Sequence, residues 1–441
     1  MATAKRRLRR LAPVLAIIGA GALALTACSG STGSTGGAGA AKFSYFGQTE
    51  NTTIAGTLKT LSGAQCAPEN KTTPLTTDSS AGAQYDQKLQ LLSGQNALSN
   101  MQMSAGTPDL MKQFIKGKQI QDVSALLKKA GLTDKILPAA ASTIESLYGE
   151  KDMYALPTEF NIEGFWYNKK ILADNGITTP PATWDELVAD AAKLKSAGVQ
   201  PFVADGKDGW PITRLVGDYI FRDLGPDALD KVADGKAKLT DPEYVKAADA
   251  VAALGKAGYF GNAVGSVDYN GAMNQFLTGK GAFFYMGSWA TANFADKTQN
   301  KIGEDNIGYA PFPAVTGGKG SIDQVPANVG VPVMFGTKDW GTNQDAWFKC
   351  IVNNYGDTVL KDSGVVSGFQ VSDAAAASVT SPTVKIVQNT IKTANSSVLW
   401  FEAKFTSKGT TVSQTNGGGL GSGTLSGSQF MNLVQAANDA G

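Results

Sequence analysis

The sequence predicts an α/β protein, because amphipathic helical segments alternate with short apolar runs along most of its 441 residues. Two of the helical segments, TWDELVADAAKLKSAG and DPEYVKAADAVAALGKAG, open on a capping residue and close on glycine. The runs FWYN, PFVA, GAFFYMG and VGVPVMFG have the length and apolar content of strands. This alternation favours helices layered on mostly parallel sheets.

The remaining elements show the same periodicities. The run KFSYFG (Lys42–Gly47) predicts the first strand, and TIAGTLKTLSG and YDQKLQLLSGQ predict the helices after it. The segment AGTPDLMKQF is interpreted as a turn that leads into a short buried strand. Near the end, NGGGLGSGTLSG (Asn416–Gly427) is rich in glycine like a phosphate loop, but no lysine follows and no strand-like run precedes it. We interpret it as a loop before a final helix.

The first forty residues have the composition of an export signal. Five basic residues precede an apolar run that is too short and too rich in Gly and Ala for a transmembrane helix. The run ends in LTAC, which matches the bacterial lipobox, where cleavage leaves the cysteine to carry a diacylglycerol. We expect a signal peptide at 1–27, a lipid anchor at Cys28, and a flexible tether at 28–41. An ordinary signal peptide with an unrelated cysteine is the alternative.

Charge and composition exclude several classes of function. Removal of residues 1–27 changes the formal net charge from +1 to −4 and leaves no dense basic patch, so no nucleic-acid partner is expected. The chain has no histidine, which excludes hydrolases with a His base and His-ligated metal sites. We expect neither a metal nor a cofactor. Paired carboxylates, as in glycoside hydrolysis, need only Asp and Glu and stay open.

The two cysteines beyond the signal, Cys66 and Cys350, suggest a disulfide. In an exported protein an even pair of cysteines predicts one bridge, with two unrelated buried thiols as the alternative. A bridge would pack the late segment around Cys350 on the early one around Cys66. The chain would then leave its first domain and return to it.

Several motifs occur in an order that is typical of one family. The stretch Tyr154–Leu194 contains Leu-Pro, Tyr-Asn-Lys and Pro-Pro-x-Thr-Trp-Asp-Glu-Leu, and FLTGKGAFFYMGSW (Phe276–Trp289), GYAPFP (Gly308–Pro313) and DAWFKCIVNNY (Asp345–Tyr355) follow. With these motifs the chain resembles bacterial extracellular solute-binding proteins of ABC importers. The similarity is greatest to the carbohydrate-binding branch that includes maltose- and xylo-oligosaccharide-binding proteins. The early segment LSGAQCAPENKTTPL departs from the family, which does not require its cysteine.

The resemblance implies a periplasmic-binding-protein-like fold of two discontinuous α/β lobes joined by a hinge, with a ligand cleft between them. We assign residues 42–157 and 329–385 to the first lobe, and 158–328 and 386–441 to the second. The family topology returns the segment of Cys350 to the first lobe, in agreement with the disulfide prediction.

Sugar ligands need aromatic faces for their C–H patches, and carboxylates and amides for their hydroxyls. By the resemblance, Trp289 in FFYMGSW matches a position that lies against a sugar ring. Trp400 in SSVLWFEAKF matches one that brings a second aromatic ring into the cleft. Trp184, which opens a helix after PPAT, is interpreted as structural.

Polar ligand contacts are expected where strands end, because the carboxyl ends of strands face the ligand crevice in α/β folds. A solvated loop position is the alternative for each of them, and Asp109 in TPD is interpreted as a turn residue. The candidates lie after strand-like runs, in the crossing segment and in one loop: Gln48, Glu50, Asn51, Lys112, Gln113, Glu159, Asn161 and Asp268.

These features predict a lipid-anchored, non-enzymatic binding component of a sugar importer on the outer face of the cell membrane. Its partners would be an oligosaccharide, xylo- or otherwise β-linked, and the transmembrane subunits of a permease, and it would be a monomer. One alternative is a secreted glycosidase with paired carboxylates. Another is the same fold with a polyamine or phosphodiester ligand, against which the aromatic residues and the lack of an evident anion-binding cluster argue.

Overall fold

The computed structural model of the protein describes residues 37–49, 51–394 and 396–440. The predicted signal peptide, Cys28 and Glu50 lie outside these residues. No helix within the described part combines the length and the apolar composition that a membrane span requires.

The strands are β1 (Phe43–Gln48), β2 (Leu75–Ser80), β3 (Met101–Met103), β4 (Asn161–Asn168), β5 (Gln200–Val203), β6 (Gly281–Gly287), β7 (Ile307–Ala310), β8 (Gln324–Asn328), β9 (Val333–Met334) and β10 (Ser396–Val398). The helices are α1 (Thr53–Gly63), α2 (Ala67–Thr72), α3 (Gly82–Gly94), α4 (Pro108–Lys116), α5 (Val123–Ala130), α6 (Pro138–Tyr148), α7 (Lys169–Asp174), α8 (Trp184–Ser196), α9 (Trp210–Leu224), α10 (Ala228–Ala233), α11 (Pro242–Lys256), α12 (Tyr269–Leu277), α13 (Thr291–Ala295), α14 (Thr342–Ser363), α15 (Asp373–Ser378), α16 (Pro382–Thr393), α17 (Ser407–Gly421) and α18 (Gly427–Asp439). Short 3₁₀ helices cover Thr133–Lys135, Val264–Ser266, Ser288–Ala290 and Glu304–Asn306.

The strands form two sheets. The first sheet has the order β2-β1-β3-β9, in which β1 runs parallel to β2 and β3, and β9 is antiparallel to β3. The second has the order β10-β8-β4-β6-β5, with β7 paired to β4. Strands β8 and β9 follow each other in the chain but lie in different sheets, so the chain crosses between the sheets more than once.

The expectation of mostly parallel sheets is wrong for the second sheet. Strand β4 pairs antiparallel with β6, β7 and β8, whereas β5–β6 and β8–β10 are parallel. Strand β4 is buried along most of its length. An apolar run indicates burial on both faces of a sheet but carries no information on strand direction. For this reason the sequence did not predict the antiparallel pairs.

The predicted strand at TPDLMKQF is also wrong, because Pro108–Lys116 forms helix α4. Pro108 occupies the first turn, where its missing N–H costs nothing, and Asp109 lies in the same turn. Leu110, Met111 and Phe114 are buried at helical spacing. The segment is amphipathic with period 3.6, so a longer window would have identified the helix.

The prediction of a loop at the glycine-rich segment near the C-terminus is wrong for its first half, which is helical, whereas the final helix after it is confirmed. Helix α17 includes Gly417 and Gly418, and a Cβ on either would lie within 2.4 Å of the carbonyl oxygen of Gly209 or Gly206. Close contact between two backbones therefore requires glycine at these positions, at the expense of helix propensity. Tertiary packing overrides local preference in this helix.

Trp184 is a core residue, as interpreted from the sequence. It opens α8 behind a capping box formed by Thr183 and Glu186. Its ring is 7% exposed and packs on Tyr219 and Phe312, with centroids 5.2 and 5.6 Å away.

A disulfide joins Cys66 and Cys350, whose Cα atoms lie 5.8 Å apart. Cys66 precedes α2, and Cys350 lies in α14, which packs on α1. Nearby, Trp347 of α14 stacks on Phe43 of β1 at 4.9 Å. The late helix α14 is therefore fixed covalently and by packing to the earliest described strand.

Candidate functional site

Three chain segments meet between the two sheets. Residues 156–161 lead from the first sheet into β4, and the N–H groups of Leu156 and Val333 each donate to the other's carbonyl. Residues 328–333 lead from β8 to β9, and Thr158 donates its hydroxyl hydrogen to the carbonyl of Val331. Residues 366–368 lie beside the first segment, where Gly368 N–H donates to Pro157 and Phe160 N–H to Val366. These segments form the connection on which the site is built.

A cavity of about 310 Å³ opens beside this connection. Glu159 and Asn161 of the first segment and Trp289 line one part of it. Ser363, at the end of α14, and Val387 of α16 line another. The cavity therefore brings together three residues that the sequence had selected as ligand contacts.

Glu159 lies half-buried against a glycine. A Cβ on Gly330 would lie 2.3 Å from Glu159 Oε2, and Gly330 has a φ of +54°, so the close approach requires glycine. Burial raises the pKa of Glu159 above its ordinary value, and a hydrogen bond with Asn161 lowers it in part. The carboxyl group therefore packs on Gly330 at the edge of the cavity.

Trp289 lies two residues after the end of β6, in a short 3₁₀ helix, and forms an aromatic pair. Its ring lies 5.9 Å from that of Trp210, at 51°. The ring folds back over Gly287, where a Cβ would come within 1.9 Å of it. Strands β5 and β6 are parallel neighbours, so Trp210, which follows β5, and Trp289 emerge at the same edge of the second sheet. The tilted pair offers a broad apolar surface at that edge.

A second aromatic group surrounds Arg214 of α9. The guanidinium carbon lies 5.4 Å from the ring centroid of Trp210 and 5.2 Å from that of Trp400. Arg214 Nε is 3.0 Å from Glu163 Oε2, and its Nη1 is 3.5 Å from Glu402 Oε2. One cation thus contacts two tryptophans and two carboxylates.

Both carboxylates are buried and accept hydrogen bonds at Oε1. The side chains of Glu163 and Glu402 are 1% and 0% exposed. Glu402 Oε1 accepts hydrogen bonds from the hydroxyls of Thr213 and Ser413, and Glu163 Oε1 accepts one from the amide of Asn328 at 3.2 Å.

The hydrogen bonds continue from Asn328 to the Trp289 segment. Asn161 Nδ2 donates to Asn328 Oδ1 at 3.4 Å, and the hydroxyl of Ser288 donates to Asn161 Oδ1 at 3.2 Å. A continuous polar network therefore links the Arg214 group to the residue next to Trp289, and it passes through β4 and β8. We call Trp210, Trp289, Trp400, Arg214, Glu163 and Glu402 the aromatic cluster.

Two further buried carboxyl groups belong to the region of the second sheet, and both have raised pKa values. Asp205 follows β5; burial raises its pKa to about 7, together with Asp208 and Asp268, against a hydrogen bond from the backbone of Asp208. Burial raises the pKa of Asp218 in α9 to about 8, against a hydrogen bond from the hydroxyl of Tyr285. Both groups favour the protonated form more than an exposed aspartate does.

The other residues that we predicted as ligand contacts lie at different places in the structure. Gln48 ends β1 and Asn51 follows it; both are half-buried, and Asn51 Oδ1 is buried with no hydrogen-bond partner among the described residues. Lys112 and Gln113 lie exposed on α4, with Lys112 Nζ 3.8 Å from Asp109. Asp268 caps α12, where it accepts from Gly271 N–H. The structure does not bring these residues into the 310 Å³ cavity, and their roles stay predictions.

The sequence reasoning missed Trp210, Arg214, Glu163 and Glu402. One signal was available, since Asp205 and Trp210 follow the strand run PFVA as the chosen polar residues follow theirs. Arg214 lies four residues after Trp210 and shares its helix face. Nothing local distinguishes Glu163, which lies inside an apolar strand, or Glu402.

Comparisons with known proteins identify the class. The family model for bacterial extracellular solute-binding proteins matches residues 66–338, which is more than half of the chain. The chain therefore belongs to the bacterial extracellular solute-binding protein family. The α/β fold of two lobes that the sequence predicted is confirmed by similarity to solved structures of such proteins.

Individual relatives are similar over part of their length. An uncharacterized ABC transporter extracellular-binding protein of Pyrococcus horikoshii is 28% identical over 176 residues, 39% of each chain. A multiple sugar-binding protein of Streptococcus mutans is 24% identical over 231 residues, 49% of this chain and 52% of the relative. The chain thus spans about half or less of these relatives. A solved chitin oligosaccharide binding protein aligns over 90% of this chain and 98% of its own, with a TM-score of 0.71 and 23% identity.

Proposed function

We propose that the protein is the substrate-binding lipoprotein of an ABC sugar importer and binds an oligosaccharide in the cleft between its lobes. The lobes are residues 42–157 with 329–385, and 158–328 with 386–441. Binding shifts the equilibrium between open and closed forms, and the permease subunits recognise the closed form. The protein acts as a monomer and performs no chemistry.

The aromatic cluster is the observation that carries this proposal. Trp210 packs on Trp289 and shares Arg214 with Trp400, and Trp289 lines a cavity together with the amide of Asn161 and the carboxyl of Glu159. Sugar rings bind through stacking of their C–H faces and hydrogen bonds to their hydroxyls, which is the combination present here. The names of the sugar-binding and chitin-oligosaccharide-binding relatives support the same ligand class.

The glycosidase alternative receives no support from the buried carboxylates. Glu163 and Glu402 are both within 3.5 Å of Arg214, and each accepts further hydrogen bonds. A glycosidase needs one carboxyl to donate a proton and another to act as nucleophile or base. Carboxylates held in such pairs are positioned for structure instead. Incubation with oligosaccharides should therefore release no new reducing ends, and their appearance would establish the alternative.

A ligand screen tests the proposal directly. Isothermal titration calorimetry with xylotriose, maltotriose, raffinose and chitotriose should give saturable binding for at least one, and we expect a β-linked sugar such as xylotriose to be preferred. Spermidine and glycerophosphodiesters represent the non-sugar alternatives. Saturable binding of one of these, with no response to any sugar, would overturn the ligand class.

The lipid anchor at Cys28 requires its own test. Cys28 closes the sequence LTAC after the apolar run, so we expect Cys28→Ser to leave the precursor unlipidated. Because two acyl chains anchor stably, the wild-type protein should sediment with membranes and the variant should not. Equal membrane retention of both proteins would refute the anchor while leaving sugar binding untouched.

A further inference from the structure

We infer that Arg214 is a positioning residue, which holds Trp210 and Trp400 in the arrangement that the sugar requires. This inference rests on the proposed function in one respect only, namely that the two rings bind a sugar. The residue itself is 13% exposed, so it lies largely beneath the aromatic surface.

Arg214 connects three segments that are distant in the chain. It shares α9 with Trp210, it pairs with Glu163 of β4, and it contacts Trp400 and Glu402 of the segment after β10. Residues 399–406 contain no regular helix or strand, so no backbone ladder fixes the ring of Trp400. The side chain of Arg214 contacts both rings and thereby fixes the position of Trp400 relative to Trp210.

The geometry requires arginine in particular. A guanidinium is planar, can stack on aromatic rings, and presents several N–H groups in fixed directions at the same time. Lysine has one compact ammonium group on a flexible chain and cannot bridge two rings and two carboxylates. The residue also compensates two buried carboxylates whose burial without a cation would be costly.

Other contacts hold parts of this region but do not replace Arg214. A Cβ on Gly217 would lie 2.8 Å from Phe401 Cβ, so α9 packs tightly on the segment next to Trp400. Lys404 pairs with Asp230 farther along. These contacts maintain the fold of the segment, whereas neither touches both tryptophans. Loss of Arg214 should therefore disturb the rings more than the fold.

Arg214→Lys is the main test, with Lys246→Met as matched control. Lys246 also lies near an aromatic ring, 5.8 Å from that of Tyr219, and pairs with Asp223 at 2.7 Å, but it is outside the aromatic cluster. The first readout is the near-ultraviolet circular dichroism of the ligand-free proteins. Arg214→Lys should change the tryptophan bands while the far-ultraviolet spectrum stays native, and Lys246→Met should change neither.

The second readout is affinity for the sugar that binds best in the calorimetric screen. Arg214→Lys should weaken binding at least tenfold, and Lys246→Met should bind within twofold of wild type. Native tryptophan bands together with binding within twofold in Arg214→Lys would overturn the inference. If Arg214→Lys does not fold, Glu402→Gln, which keeps the arginine but weakens its anchor, replaces it in both readouts with the same criteria.

The two claims fail separately. If wild type binds no sugar, the proposed function fails, and the ligand-free spectra of Arg214→Lys still decide whether Arg214 positions the tryptophans.

Discussion

The region around the first sheet and the region around the second are stabilised differently. In the first, a disulfide joins Cys66 to α14, and Trp347 of that helix stacks on Phe43 of β1. In the second, Asp218 is buried beside Tyr285 and near Arg214, and burial raises the pKa values of Asp205 and Asp218 to about 7 and 8. The first region should therefore respond to reductant and the second to pH.

The regions also differ in what they offer a ligand. The three tryptophans of the aromatic cluster follow or flank strands of the second sheet, whereas the candidates on the first sheet are short polar side chains such as Gln48 and Asn51. Stacking buries far more apolar area than a single amide contact. We therefore expect the second region to supply most of the binding energy and the first to supply smaller polar contributions.

The largest effect should come from the disulfide. The bridge spans 284 residues of sequence, so its removal frees a long loop in the unfolded chain, and the double variant Cys66→Ser/Cys350→Ser should lose about 2–5 kcal/mol of unfolding free energy. Chemical denaturation with and without reductant measures it. Reductant should lower the stability of wild type and leave the double variant unchanged; a wild type insensitive to reductant in its unfolding would contradict the expectation.

Trp289→Ala should have the largest effect on binding. Loss of a stacking ring should weaken sugar affinity by about 2–4 kcal/mol, with a smaller effect on stability because the ring is only half-buried. Trp184→Ala is the matched control: it removes a core tryptophan, so it should lower the unfolding free energy and spare the affinity of the folded fraction. Ligand titrations measure the affinity of both variants, and thermal melts measure their stability. Normal binding by Trp289→Ala would place the ligand elsewhere.

Stability should fall as the pH rises from about 4 to 8, through Asp218. Its folded pKa of about 8 exceeds the ordinary value of 3.8, so in this window the native state binds more protons than the unfolded state. Raising the pH then favours unfolding. Denaturation at pH 5 and pH 8 should show this loss, and Asp218→Asn should reduce it. Asp205 acts in the same direction up to about pH 7, so some dependence should persist in the variant. An unchanged pH dependence in Asp218→Asn would exclude this carboxyl as its source.

The smallest of these effects should come from Asn51. Its buried Oδ1 has no partner among the described residues, and one hydrogen bond from a sugar hydroxyl contributes about 1 kcal/mol. Asn51→Ala should therefore reduce affinity roughly fivefold. Thr49→Ala removes an exposed neighbour that hydrogen-bonds Ser79, and serves as control in the same titration. A loss of affinity as large as that of Trp289→Ala would contradict the expectation that the first region contributes less binding energy than the second.

Much of the fold could be predicted from the sequence because it depends on local patterns. The strand at KFSYFG and helices α1, α3, α8 and α11 follow from periodicity and capping, and they are confirmed. Helix α4 was missed although its apolar residues have helical spacing. The direction of strands in the second sheet was not predictable, because burial leaves no trace of direction in an apolar run.

The candidate site likewise has a part that the sequence predicted and a part that it did not. Sequence alone determined that Trp289 follows a strand, that Glu159 and Asn161 flank the entry to β4, and that Trp184 opens a capped helix. Only the tertiary structure decided that Arg214 would lie between Trp210 and Trp400 and compensate Glu163 and Glu402. Those residues are separated by up to 239 positions, from Glu163 to Glu402. Their burial becomes favourable only once the fold has brought the charges together. For that reason no local sequence pattern could predict these contacts.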